Sequence, residues 1–242
     1  MRLLPVVVFL VAVLSPAAGQ TTDVVSRWFK TERDSVLVDC VLPGSGSVRP
    51  AVLVLSDRFG AQENARAVLK VLGRLGYRAY ALPLRSAPLR SIEGIPEATL
   101  DSTDSEILTQ VAVDIMNDSS CTGSIGLLGF DVGAAVAVDV LRRFPFFSSA
   151  ALFYPSGGLA TLMRLLPVEA TVQLHIAQFD PQCTLAEVNE MRDRFVEARK
   201  RLHVFYYKDA FRFFFNPQHK NYHRSNTQAA WNRLNAFFRK TL

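Results

Sequence analysis

Short, largely apolar runs alternate along this chain with stretches of helical spacing, the pattern of parallel strands joined by helices. Residues 51–55, 77–82, 150–154, 172–177 and 202–207 read as strands of that kind. Residues 64–75, 104–117, 185–200 and 225–240 read as helices, the second with Ile107, Val111 and Ile115 along one face, and residues 159–165 as a shorter one. Gly76 supplies a stop for the first helix. Ahead of these, residues 24–29 and 36–42 flank a polar turn and predict an antiparallel hairpin at a sheet edge. Residues 83–103, with three prolines, form a long irregular connection of the sort that often covers a binding surface. The alternation predicts a single α/β domain whose mainly parallel central sheet carries helices on both faces. Ligands bind such sheets at the carboxyl ends of the strands, and Asp57, Asp131, Asp180 and the segment after Tyr207 all fall at that edge.

The sharpest local pattern runs from Ser124 to Leu141. An apolar run ends at Gly129, Asp131 stands at the apex, and a helical pattern of small and branched residues starts at Gly133. A strand–turn–helix with glycines placed this way is the shape of a nucleophile elbow. Strand and helix there pack too closely for a Cβ at either glycine, and the apex side chain is presented at the sheet edge. Here the apex is a carboxylate rather than a hydroxyl or a thiol. The simpler alternative is a tight turn in which Asp131 caps the helix.

Composition narrows the setting. At 242 residues, 49% of them hydrophobic, the chain suffices for one sizeable core. Arg2, the apolar residues 3–14 and the small residues 15–19 have the layout of a secretory signal peptide, which leaves residues 20–242 as the mature domain of an exported protein. The apolar stretch is short for a bilayer span, so no stable membrane insertion is expected after cleavage. The net charge of +5 is scattered, with modest excesses at 192–201 and 219–239. Solvated faces account for these better than nucleic-acid binding, for which no motif is present. Cys40, Cys121 and Cys183 fit no metal spacing; Cys40 ends a predicted strand, Cys121 precedes one, and no disulfide is expected. Nothing in the sequence calls for a metal or another cofactor.

The order of pieces resembles the dienelactone hydrolase family of α/β-hydrolases over nearly the whole mature chain. Val52-Leu53-Val54-Leu55-Ser56-Asp57-Arg58-Phe59-Gly60 is similar to that family's strand ending in an acidic residue and an F-G pair. Leu75-Gly76-Tyr77-Arg78-Ala79-Tyr80-Ala81-Leu82-Pro83 resembles its G-Y-x-A-x-x-P step. Ala210-Phe211-Arg212-Phe213-Phe214-Phe215-Asn216-Pro217 is similar to its A-G-H-G-F-x-N-P, and Ala230-Trp231 to Phe237-Phe238 to its closing A-W-x-R-x-x-x-F-F helix. The resemblance implies the α/β-hydrolase fold, with Asp131 at the nucleophile position, Asp180 at the triad acid and Arg212 at the triad His. It also implies oxyanion-hole backbone at Arg58 and Val132, and binding positions at Asp57, Phe59 and Phe213.

Acyl transfer of the family's kind needs a thiol or hydroxyl, a His to take its proton and an acid to orient that His. Only the acid is kept, because Arg212 stays protonated at physiological pH and cannot be a general base. Two readings of different class follow. In the first, the chain is a non-catalytic binding or scaffold protein for a small-molecule ligand. In the second, it is an active hydrolase of a small ester, lactone or epoxide with Asp131 as nucleophile or base. An elbow Asp that attacks carbon leaves an ester for a His-activated water to hydrolyse, and only the loop residues His219 and His223 are placed to swing in, His175 and His203 lying in strands. Exposed loop histidines and an inert thiol at Cys183 are the simpler readings of those groups. The four phenylalanines around Arg212 are expected to fill part of the cleft, with at least one in the core. Arg212 itself is expected to bridge Asp131 and Asp180, with Asp57 or Arg58 joining and both acids held below their ordinary pKa.

Overall fold

A computed structural model of the chain describes residues 23–30, 35–44, 47–57, 62–84, 102–200 and 202–242. The expected export segment, the hairpin turn at 31–34 and most of the connection at 83–103 lie outside these residues, as do Arg58 and Phe59. Among the described residues, eight strands form one sheet: β1 (Val25–Lys30), β2 (Ser35–Val41), β3 (Arg49–Leu55), β4 (Arg78–Leu82), β5 (Cys121–Phe130), β6 (Ser149–Phe153), β7 (Thr171–Phe179) and β8 (Leu202–Phe211). Their order across the sheet is β1-β2-β4-β3-β5-β6-β7-β8, antiparallel at β1/β2 and β2/β4 and parallel elsewhere. The hairpin therefore takes one edge, and the elbow strand β5 lies in the interior.

Six helices accompany the described sheet: α1 (Gln62–Arg74), α2 (Ser102–Asn117), α3 (Val132–Arg143), α4 (Gly158–Met163), α5 (Leu185–Glu197) and α6 (Arg224–Thr241). They divide between its faces, and the strands show why. Leu53, Leu55, Leu127, Leu152 and Leu174 pack with α2 to α5 through Val111, Val136, Leu162 and Met191. The alternate residues Val52, Val54, Leu128 and Phe153 pack with α1 and α6 through Leu69, Leu72, Leu234 and Phe238. A strand buried on both faces has no polar side to alternate with, which is why β3 and β5 read as continuous apolar runs. Each fully buried Leu or Phe of this kind stabilises the fold by about 1.5–3 kcal/mol relative to exposure.

Several boundaries differ from the sequence expectation. β8 runs on to Phe211, because past an irregularity after Ala177 the partner β7 continues to Phe179, which pairs with Phe211. α5 stops at Glu197, where Arg199 turns to positive φ (53°). Cys121 opens β5 instead of preceding it, and Cys40 lies inside β2. All three cysteines are buried thiols, and burial pushes Cys183 up to about 12 and Cys40 up to about 11.

His175 of β7 is a buried polar group that makes this scaffold sensitive to acid. Its ring stacks on Phe153 at 4.0 Å and meets Gln173 Oε1 (2.8 Å) and Tyr207 Oη (2.7 Å) through its two nitrogens. A neutral ring satisfies both partners, its Nε2–H donating to Gln173 and its Nδ1 accepting from Tyr207. Burial, reinforced by Arg233, holds its pKa well below the ordinary 6.5. A folded-state pKa below the unfolded one means that the unfolded chain takes up the proton first. The resulting stability is complete above about pH 6.5 and is lost as pH falls from there towards the folded value, by up to about 1.4 kcal/mol per pH unit. Urea midpoints at pH 7.5 and 5.5 should therefore drop less for His175→Asn, which does not titrate, than for the native chain. Equal drops would show that the ring is not held neutral.

Candidate functional site

The site begins with crowding. A Cβ on Gly129 would sit 2.7 Å from Ala134 Cα, and one on Gly133 would overlap the carbonyl oxygens of Leu55 and Ser56, so β5, β3 and α3 meet at a point that only glycine permits. The turn between them forces Asp131 to φ 52°, ψ −114°. A non-glycine residue held there costs about 1–3 kcal/mol and needs its surroundings to fix it. They do: the Asp131 N–H donates to Phe153 O (3.0 Å), and its carbonyl accepts from Ser156 N (3.0 Å) and Ala135 N (3.2 Å). Its side chain makes no capping hydrogen bond to α3, so the simple capped turn is not what forms.

The carboxylate points instead to Arg212, which follows β8. Arg212 Nη2 donates to Asp131 Oδ1, while Nη1 donates to both oxygens of Asp180 at 3.0 Å. The group is sealed, with Asp131 0%, Asp180 4% and Arg212 5% exposed. Two ring faces close over the guanidinium, Phe213 at 5.3 Å and Tyr154 at 5.8 Å from Cζ, which adds cation–π attraction. The Asn221 side-chain amide donates to the Arg212 carbonyl at 2.9 Å and the Gln182 N–H donates to Asp180 Oδ1 at 2.9 Å, so the arginine and one of its acids are each held by a further residue.

Asp180 corrects the expected acidity. Its pKa lies above the ordinary 3.8, not below: burial outweighs the pull of Arg212 and of the Gln182 N–H, and the nearby Asp131 adds to the rise. Asp57, also buried, is bonded to Asn216 Nδ2 at 3.1 Å instead of joining the Arg212 fork. Arg58, the other candidate to join, lies outside the described residues, so of the two expected oxyanion-hole positions only Val132, the first residue of α3, is described.

The four phenylalanines separate. Phe214 and Phe215 are core, against Tyr207 and Trp231, and Phe213 covers the guanidinium. Phe211 lies half-exposed on the surface against Phe179. Neither loop histidine is an exposed group: His219 packs on Phe213 with Nδ1 accepting from Asn221 N (3.1 Å), and His223 caps α6 by accepting from Asn226 N (3.4 Å). Cys183 is buried with its thiol held protonated, which leaves it inert as a nucleophile. Sequence reasoning missed Tyr154. This residue sits at φ 37° just after β6, is fully buried, and has its pKa pushed well above 10.0 by burial and then by Asp57 and Asp131. Its position at the end of an apolar run on the ligand-binding edge was the available signal. Among the described residues, no three His, Cys, Asp or Glu side chains are grouped to hold a metal ion.

Residues 38–242 match the profile of the dienelactone hydrolase family. This chain belongs to that family. Over 222 residues it is 23% identical to the Methylorubrum extorquens protein named "Putative carboxymethylenebutenolidase", covering 82% of this chain and 75% of that protein. The crystal structure of a "Putative Dienelactone Hydrolase" from Klebsiella pneumoniae superposes with a TM-score of 0.75 at 18% identity, covering 89% of this chain and 98% of that one. A dienelactone hydrolase-like promiscuous phosphotriesterase from metagenomic libraries superposes with a TM-score of 0.70 at 16% identity, covering 90% and 98%. At such identities the solved structures speak for the fold, and the dienelactone hydrolase architecture is the fold described above.

Removing the guanidinium leaves two carboxyls in a dry site without a counter-charge. Arg212→Met should lose about 3–5 kcal/mol in urea unfolding at pH 7. Without the pull of Arg212, the buried acids bind protons more tightly than in the native chain, so the deficit should shrink as pH falls towards about 4 and grow as it rises. A deficit under about 1 kcal/mol, the worth of a solvated pair, would contradict the buried fork.

Proposed function

We propose that this chain is an exported dienelactone hydrolase-family protein that has lost acyl-enzyme chemistry and acts as a small-molecule binding or scaffold protein. The observation that supports this most is Arg212, clamped between Asp131 and Asp180 where the family resemblance puts the catalytic His. A guanidinium cannot take a proton, and the carboxylate it grips carries a charge-assisted hydrogen bond that lowers its reactivity towards an electrophile. An attack by Asp131 on an ester, lactone or epoxide would also need a basic group beside it to activate water for the second step. Arg212, which grips its carboxylate, cannot be that base. The N-terminal pattern of Arg2, an apolar stretch and small residues supports export.

The test is turnover of short-chain p-nitrophenyl esters, simple lactones and small epoxides by the purified protein, with Asp131→Ala as the control. The proposal expects the native chain to match the control, both at the buffer rate. Turnover by the native chain that disappears in Asp131→Ala would replace the binding-protein reading with that of an active hydrolase using an Asp nucleophile or base.

A further inference from the structure

A cavity of about 750 Å³ opens at the amino ends of β3 and β4, between the last turns of α1 and α6 and at the sheet edge opposite Asp131. Its size lies within the roughly 300–1,000 Å³ of small-molecule sites. Arg49, Arg74 and Arg239 stand on its lining, and no Asp or Glu does. No carboxylate pairs with any of the three among the described residues. Favourable contact with helix C-termini accounts for Arg74 and Arg239, each in the last turn of its helix, but not for Arg49, which opens a strand.

The wall below these charges carries a second, independent signal. Tyr77 is 4% exposed, and its Oη has no hydrogen-bond partner among the described residues. The Oδ1 of Asn235, on the same lining, is also buried and has no partner among the described residues. Buried polar groups are ordinarily satisfied, so a donor and an acceptor left open on one wall mark a place that a partner molecule or water completes. The apolar ring of Phe238, on the same lining, packs edge-on to Tyr77 at 6.0 Å. Burial pushes the Tyr77 hydroxyl up to about 12, so it is a donor at any working pH.

We infer that this cavity binds a small organic oxyanion, a phosphate monoester or a carboxylate, carried on an apolar body. The oxyanion takes the guanidinium N–H groups and the Tyr77 hydroxyl, the body lies on Phe238, and a hydroxyl or N–H near the anionic group donates to Asn235. Guanidinium forks suit both oxyanions, so the geometry names the shared chemistry.

Calorimetric titration of the full chain with phenyl phosphate, benzoate, inorganic phosphate and benzyl alcohol tests it. One aryl anion should bind tighter than either inorganic phosphate or the neutral alcohol, and the tighter of phenyl phosphate and benzoate identifies the oxyanion. Arg74→Ala/Arg239→Ala, both at exposed positions, should weaken that binding about tenfold or more, as expected for lost charge-assisted bonds. Tyr77→Phe, which keeps the ring packing, should weaken it several-fold. Absence of aryl-anion binding at millimolar concentration, inorganic phosphate binding as tightly as either aryl anion, or unchanged binding in the double variant would each overturn the inference.

Discussion

A guanidinium shut away from water must find its counter-charge inside the protein, and the candidate site is arranged around that need. Arg212 reaches it through two carboxylates that arrive on different strands, Asp131 at the end of β5 and Asp180 at the end of β7. The parallel order β5-β6-β7-β8 brings those strand ends to one edge. A buried pair of this kind adds little net stability over a well-packed apolar replacement, because desolvation costs about as much as the attraction returns. The direction of the Asp180 shift makes the same point, since burial there exceeds the pull of the cation. What such a bridge contributes is constraint: no member can leave without stranding the others.

The strain at Asp131 belongs to the same arrangement. Gly129 and Gly133 let β5, β3 and α3 close on one another, and the positive φ of the residue between them is the consequence. In a family whose members place a reactive side chain at such an apex, this geometry serves presentation. Here the presented group is covered: Phe213 and Tyr154 lie over the cation that holds it.

Most of the architecture was legible because it rests on burial, which leaves a direct mark on sequence. Strands β3, β5 and β6 are apolar on both faces over their buried lengths, and α2 shows its face through Ile107, Val111 and Ile115. The glycine spacing around Asp131 was legible for the same reason, since close approach excludes every other residue. What could not be read was the outcome of competing forces among neighbours. Four phenylalanines in one short segment look alike on paper, yet Phe214 and Phe215 go to the core, Phe213 to the cation and Phe211 to the surface. The end of β8 depended on pairing with Phe179 across a bulge, a partner distant in sequence. The direction of the Asp180 shift depended on how completely water is excluded, and composition carries no measure of that. Asp57 chose Asn216 over the Arg212 fork, although both partners lie in the same segment.

The state of the Arg212 guanidinium can be observed directly by nitrogen-resolved NMR of the labelled protein at low temperature. A fork held by two carboxylates and covered by two rings should give separate, slowly exchanging Nη–H signals, with cross-peaks to ring protons of Phe213 and Tyr154. Loss of that pattern in Arg212→Lys would assign it. A single averaged Nη signal exchanging at the rate of a free guanidinium would contradict the buried fork, and with it the proposal that this chain has no acyl-enzyme chemistry.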